Sequence, residues 1–357
     1  MLVAATLALV APFATILAQQ SGQSGPPTPA QQNPPPTPQQ GGPTTIVIRS
    51  NQVLVPVTVK DRDGRLVPDL RRDEFRIFED NVEQNIVSFR ADVIPISMVL
   101  LLDNDLKSKD AKQVADSLRS VVAGLSLNDE AVVCRFDQFF HPGKGFINDQ
   151  DKLLLELKRT ALDEQPSVGP TSAAINNGPS INGHSATSDA PNITGGLTNI
   201  KGQPTKALDD AVYEAAQLLK DRDPQRNRRK IIFLISDGVN GPKFNKHNYD
   251  TTIQELLRND IAVYGVGVGS AFFDRKFERL AKYAKGTGGD VYYALKSGAM
   301  EELYGRVTEE ARNQYVLAYA PSGTDRGKEY HTIEVRVRRE GLNILAREGY
   351  YAGAAPR

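Results

Sequence analysis

Asp103, Asp105 and Lys107 occupy alternate positions in DNDLKS, directly after the apolar run ISMVLLL. Carboxylate oxygens are hard donors, suited to Mg²⁺ or Ca²⁺. A protonated lysine has donors and no lone pair, so Lys107 cannot ligate an ion but can replace one. Two further motifs carry related chemistry: Thr205 in QPTKALDDA, where an amphipathic stretch begins, and Asp237 in ISDGVN, after a second apolar run. If Asp103, Asp105 and Asp237 converge, each like-charged pair costs about 4 kcal/mol at ~4 Å and an effective permittivity of ~20. Such a cluster requires a cation, a raised pKa or separation. The residues alone leave three outcomes open. A divalent ion is held by Asp103, Asp105, Thr205 and Asp237; or Lys107 supplies an internal counter-ion; or the site is too open for either to matter. Ion and ammonium together would restore repulsion unless the lysine stem turned out to water.

Other chemistry finds little support. His141, His184, His247 and His331 are scattered, with no H-E-x-x-H and no paired spacing for zinc. The elbow G-x-S-x-G is absent. GVGVGS, Gly265 to Ser270, lacks the lysine and spacing of a phosphate loop and reads as a strand and turn. The single cysteine, Cys134, lies in an apolar run, which excludes an intrachain disulfide and suggests a buried thiol. The expectation is therefore a protein that is not an enzyme. KDRDPQRNRRK, between a helix and a strand, reads as a solvated basic connection, with a partner-binding patch as the alternative.

The elements that would position these residues follow from apolar periodicity. ISMVLLLD, EAVVCRFD, RKIIFLISDG and IAVYGVGVG are near-continuous apolar runs, as parallel strands covered on both faces require. Helical stretches alternate with them: roughly Ala111 to Leu125, KLLLELKRTAL, TKALDDAVYEAAQLLKD, NYDTTIQELLRND, FERLAKYAKGTGG and AMEELYGRVTEEARNQ. Alternation of this kind predicts an α/β domain over 94–314 with a doubly wound, mostly parallel sheet. Ligands of such sheets bind beyond the carboxyl ends of the strands. Residues 163–203, rich in Gly, Asn, Ser and Pro, form an unusually long loop ending beside Thr205.

Outside 94–314 the period changes to two. Residues 44–93 read as a small antiparallel unit, with turns at DRDG and at Glu79-Asp80-Asn81 and a short helical turn leading into Phe75. Strand character returns over 315–357 in YVLAYAP, EYHTIEVRVRR and NILAREGYYAG. These strands are expected to complete the N-terminal sheet, so that the α/β domain is inserted in, or flanked by, one small β-domain. A separate C-terminal hairpin is the alternative.

The first 18 residues are apolar and uncharged and end at Ala18, as a cleavable export signal would. A retained membrane anchor is the competing reading. Residues 19–43, dominated by Gln, Pro and Gly, form a disordered spacer. Across 357 residues, 43 basic and 43 acidic side chains balance. No strong field therefore recommends a nucleic acid or an anionic membrane as partner.

Taken in order, DNDLKS, PTKALDDAV and ISDGVN resemble the von Willebrand factor A (VWA) domain. The resemblance implies a Rossmann-like sheet and a metal-ion-dependent adhesion site. It aligns Asp103 with that site's first Asp, Thr205 with its Thr and Asp237 with its last Asp. Asp105 and Lys107 stand where the pattern has two serines, and Ser108 falls one position late. The flanking segments, VPVTVKDRDGRLVPDLRRDEF and the strand-rich ending, are similar to VWA-related exported proteins of acidobacteria and related bacteria. The resemblance implies an exported, periplasmic or extracellular adhesion module. It would bind a protein or extracellular polymer through Asp103, Asp105, Lys107, Thr205 and Asp237, with Mg²⁺ or another divalent cation where the site holds one. The alternative is a scaffold of an envelope assembly in which that site has no ligand.

Overall fold

The computed structural model describes residues 52–91, 93–162, 180–181, 184–185, 206–222, 228–269, 278–294, 299–322 and 329–352. The expected signal segment, the spacer, Thr205 and, apart from two dipeptides, the 163–203 loop lie outside them. The dipeptides Ser180–Ile181 (β8) and His184–Ser185 (β9) pair as a short antiparallel ribbon.

Six strands make the central sheet: β5 (Ile96–Asp103), β6 (Glu130–Phe136), β7 (Phe140–His141), β10 (Arg229–Ser236), β11 (Ile261–Val268) and β12 (Val291–Ala294). Their order is β12-β11-β10-β5-β6-β7, parallel throughout except for the edge pair β6–β7. β5 is buried along its whole length because both faces are covered. Met98, Leu100 and Leu102 pack with α1 (Ser108–Ala123), α2 (Gln150–Leu162) and α6 (Ala299–Arg312). Val99 and Leu101 pack on the other face with α3 (Leu208–Lys220), α4 (Tyr249–Arg258) and α5 (Glu278–Thr287). Each fully buried aliphatic side chain of this kind contributes about 1.5–3 kcal/mol relative to exposure. Cys134 sits in this core on β6, and burial pushes its thiol up to about 11.

A β-sandwich built from both ends of the described chain adjoins the sheet. One layer has the order β15-β1-β13-β4, with β1 at Val53–Lys60, β4 at Ile86–Arg90, β13 at Tyr315–Tyr319 and β15 at Asn343–Ala346. The other has the order β16-β14-β2-β3, with β2 at Phe75–Glu79, β3 at Val82–Gln84, β14 at Tyr330–Val337 and β16 at Gly349–Tyr351. C-terminal β13 lies between N-terminal β1 and β4, all antiparallel. Two stretches read as single strands divide between the layers: NVEQNIVSFR at Asn85, and NILAREGYY at Arg347-Glu348. Asp80 and Asn81 turn the β2–β3 hairpin with φ of 47° and 67°, the left-handed pair that a two-residue type I′ turn needs.

Candidate functional site

β5 and β10 are adjacent and parallel, so their carboxyl ends deliver Asp103 and Asp237 to one rim. Asp103 is 6% exposed. Its Oδ1 accepts the Asp105 amide at 3.0 Å, and its Oδ2 accepts the Ser236 hydroxyl at 2.7 Å. Between the two acids stands an ammonium that the motif alignment does not assign. Lys206 Nζ donates to Asp103 Oδ2 at 2.8 Å and to Asp237 Oδ1 at 2.9 Å, and Lys206 is only 3% exposed.

The backbone holds Lys206 in this place. Its carbonyl accepts the Gly241 amide at 2.7 Å, and the next residue, Ala207, donates its amide to the Asp137 carbonyl at 2.9 Å. The first residue of α3, Leu208, is anchored by Asn240 Oδ1 at 3.1 Å. The helix therefore begins two residues after Lys206, later than the periodicity of TKALDDAV suggests, and the lysine lies outside it.

Burial pushes the Asp103 carboxyl up to about 6; Lys206 pulls against that shift and Asp237 adds to it. Burial likewise opposes the charge on Lys206, but the two carboxylates outweigh it and hold the ammonium above the ordinary lysine range. Near neutral pH the ion pair is intact. Asp105 is exposed, yet partial burial raises its carboxyl, with Lys206 opposing and Asp237 and Asp137 adding to the rise. Asp137, at the end of β6, is bound by the Phe139 amide at 2.9 Å and His141 Nε2 at 3.1 Å.

Lys107, expected as the counter-ion, is a correction. It takes the N-cap position of α1 and is exposed; its carbonyl receives the Asp110 and Ala111 amides. Ser108 opens α1 and is also exposed. The structure thus brings Asp103, Asp237 and, at the margin, Asp105 together, adds Lys206 and Ser236, and leaves Lys107 outside. The missed signal was in PTKALDDA itself: Lys206 directly follows the Thr that the alignment singled out.

These donors do not fit a divalent ion while Lys206 is in place. Mg²⁺ requires ~2.1 Å and Ca²⁺ about 2.3–2.6 Å to its oxygens. The oxygens that Asp103 and Asp237 turn toward each other already share one ammonium, and an ion on either would meet that charge at contact.

A separate cluster of metal-capable groups lies in the sandwich. His331 Nδ1 is 2.8 Å from Asp80 Oδ2 and 3.6 Å from Glu79 Oε1. Tyr319 and Tyr350 donate hydroxyls to Glu79 Oε2 at 2.5 and 3.1 Å. The group joins β2, β13, β14 and β16 and accounts for the burial of both Glu79 and His331.

A helix-flanked parallel sheet with one acid ending β5 and another following β10 agrees with a sequence match: residues 180–306 match the von Willebrand factor type A domain. The matched stretch, residues 180–306, is of VWA type. No curated protein matches it. Among solved structures, the chain is similar to an aerotolerance-related membrane protein from Bacteroides fragilis NCTC 9343 at 14% identity, covering 60% of this chain and 99% of that one with a TM-score of 0.38. It is similar to the manganese-loaded TRAP protein of Plasmodium vivax at 13% identity, covering 76% and 97% with a TM-score of 0.41. A von Willebrand factor type A protein from Catenulispora acidiphila is 8% identical, with coverages of 87% and 77% and a TM-score of 0.41. The VWA match contains Thr205, Lys206 and Asp237 but not Asp103.

Proposed function

We propose that the protein is an exported, non-enzymatic interaction module whose VWA rim docks a protein or extracellular polymer without a metal ion, Lys206 standing where a cation would. The observation that carries this reading is the pair of bonds from Lys206 Nζ to Asp103 and Asp237 at 2.8 and 2.9 Å. With those acids sharing one internal ammonium, the rim still presents Asp105 and Asp137 beside Phe139, which is 66% exposed. An exposed aromatic beside carboxylates suits a partner segment bearing a lysine or arginine next to an apolar residue. Export rests on the apolar first 18 residues. Among the described residues, no helix is long and apolar enough to cross a membrane.

A peptide array comparing cationic-apolar with anionic-apolar sequences tests the docking. The expected result is selective binding of the cationic set, weakened severalfold by Asp105→Asn and by Phe139→Ala. Binding that ignores both substitutions would refute the rim as the docking surface.

The scaffold reading is favoured by a different observation. Lys60 of β1 is 4% exposed, and its Nζ lies 2.6 Å from Asp290 and 2.7 Å from Glu310, joining the sandwich to the VWA domain. In that reading the rim substitutions change stability alone and leave peptide binding untouched.

A further inference from the structure

The amino ends of β5, β10 and β11, at the rim opposite Asp103, meet β1 and β13 around a cavity of about 510 Å³. A cavity of this size accommodates a small organic ligand. Eight of its lining side chains are cationic and three are acidic. Five of the eight come from the basic stretch KDRDPQRNRRK, which the rim chemistry leaves unused.

The three acids are already engaged within the lining. Glu130 receives Arg222 at 3.0 and 2.8 Å, Glu255 receives Lys220 at 2.9 Å, and Asp260 receives Arg347 at 2.6 Å. Among the described residues, the hydrogen bonds of two guanidiniums reach only neutral acceptors. Arg228 donates to the carbonyls of Ile96 and Asn128, and Arg229 to the side-chain and backbone oxygens of Gln314. The Nε atoms of Arg229 and Arg347 are buried with no acceptor, and Arg347 is only 8% exposed. Burial pushes the Arg229 guanidinium down to about 10; Tyr264 opposes that shift and the charge of Arg90 reinforces it. Buried donors without acceptors, gathered with surplus positive charge, are costly until an anion completes them. Guanidiniums match the planar oxygens of carboxylates and phosphates. Ile94, Ile231, Leu257 and Ala262 supply apolar wall beside them.

We propose that this cavity is a binding site for a small organic anion, with a carboxylate or phosphate group held by Arg229, Arg228 and Arg90 and a short apolar body against the Ile94–Leu257 wall. The site is independent of the rim around Asp103.

Thermal melts of the full chain with hexanoate, hexyl phosphate and hexan-1-ol, at matched ionic strength, test the proposal. A ligand of the native state raises the midpoint in proportion to its saturation. The expected result is a saturable rise of several degrees with at least one anion and none with the alcohol. Hexanoate alone would assign carboxylate chemistry and hexyl phosphate alone phosphate chemistry. Arg229→Gln should lower the apparent affinity about tenfold or more. Arg90→Gln, at an exposed position, should lower it severalfold and carries the test should the Arg229 variant not fold. No rise with either anion, an equal rise with the alcohol, or identical titrations for wild type and Arg90→Gln would overturn the proposal.

Discussion

Burying Asp103 beside Asp237 creates a charge problem that Lys206 offsets only in part, and this governs what single residues should do. Removing one partner of a buried ion pair costs about 3–5 kcal/mol, because the other charge is stranded. Lys206→Ala is accordingly expected to lower unfolding free energy by that amount near pH 7.5, as read by denaturant melts. The pH response has a definite sign. The folded-state pKa of Asp103, about 6, lies above its ordinary 3.8. A raised carboxyl pKa contributes stability that is fully present below the unfolded value and is lost as pH rises through the folded one. Wild type should therefore gain on Asp103→Asn as pH falls from about 7 to 4, by up to about 3 kcal/mol. Melts of both proteins across that range check it; parallel curves would remove the burial argument. At this scale the sequence was half legible. Asp103 and Asp237 were readable because each ends an apolar strand. Lys206 was not, because periodicity cannot say that α3 starts two residues later, and so cannot choose between Lys107 and Lys206.

Elements were more legible, because they depend on local pattern. The near-continuous apolar runs became the parallel strands, and amphipathic stretches such as that of Leu208, Ala211, Val212, Ala215 and Leu219 became their helical cover. Where a strand changes layers, the pattern was silent: alternation continues through Asn85 while the pairing partner changes from β2 to β13. Close approaches between elements were equally invisible. A Cβ on Gly289, between α5 and β12, would lie 2.0 Å from the Val263 carbonyl, whereas one on Gly305 of α6 meets nothing within 4 Å. Gly289→Ala should then cost at least about 1–3 kcal/mol as backbone is forced aside. Gly305→Ala should instead stabilise by roughly 0.5–1 kcal/mol through helix propensity. Thermal midpoints moving in opposite directions confirm the pair; midpoints moving together would contradict it.

The whole molecule depends on its two ends. β13 sits between β1 and β4, and β14 pairs with β2, so neither sandwich layer is complete without residues beyond 314. Sequence patterning showed strands at both ends but could not pair them, because period two specifies a face and not a neighbour. A chain ending at Asn313 should lose the sandwich and expose Lys60, Asp290 and Glu310, becoming protease-sensitive across 52–91. Resistance of that segment to limited proteolysis would contradict the interleaved topology. The two rims of the central sheet also carry opposite character, an acid pair closed by Lys206 at the carboxyl end and a basic cavity at the amino end. Whether Lys206 takes the place of a metal ion is read from the melting midpoint of wild type and Lys206→Ser in EDTA and in millimolar Mg²⁺ or Mn²⁺. The wild-type midpoint is expected not to change with the metal, while Lys206→Ser melts low in EDTA and gains several degrees with it. A wild-type midpoint that rises with metal and falls in EDTA would contradict it.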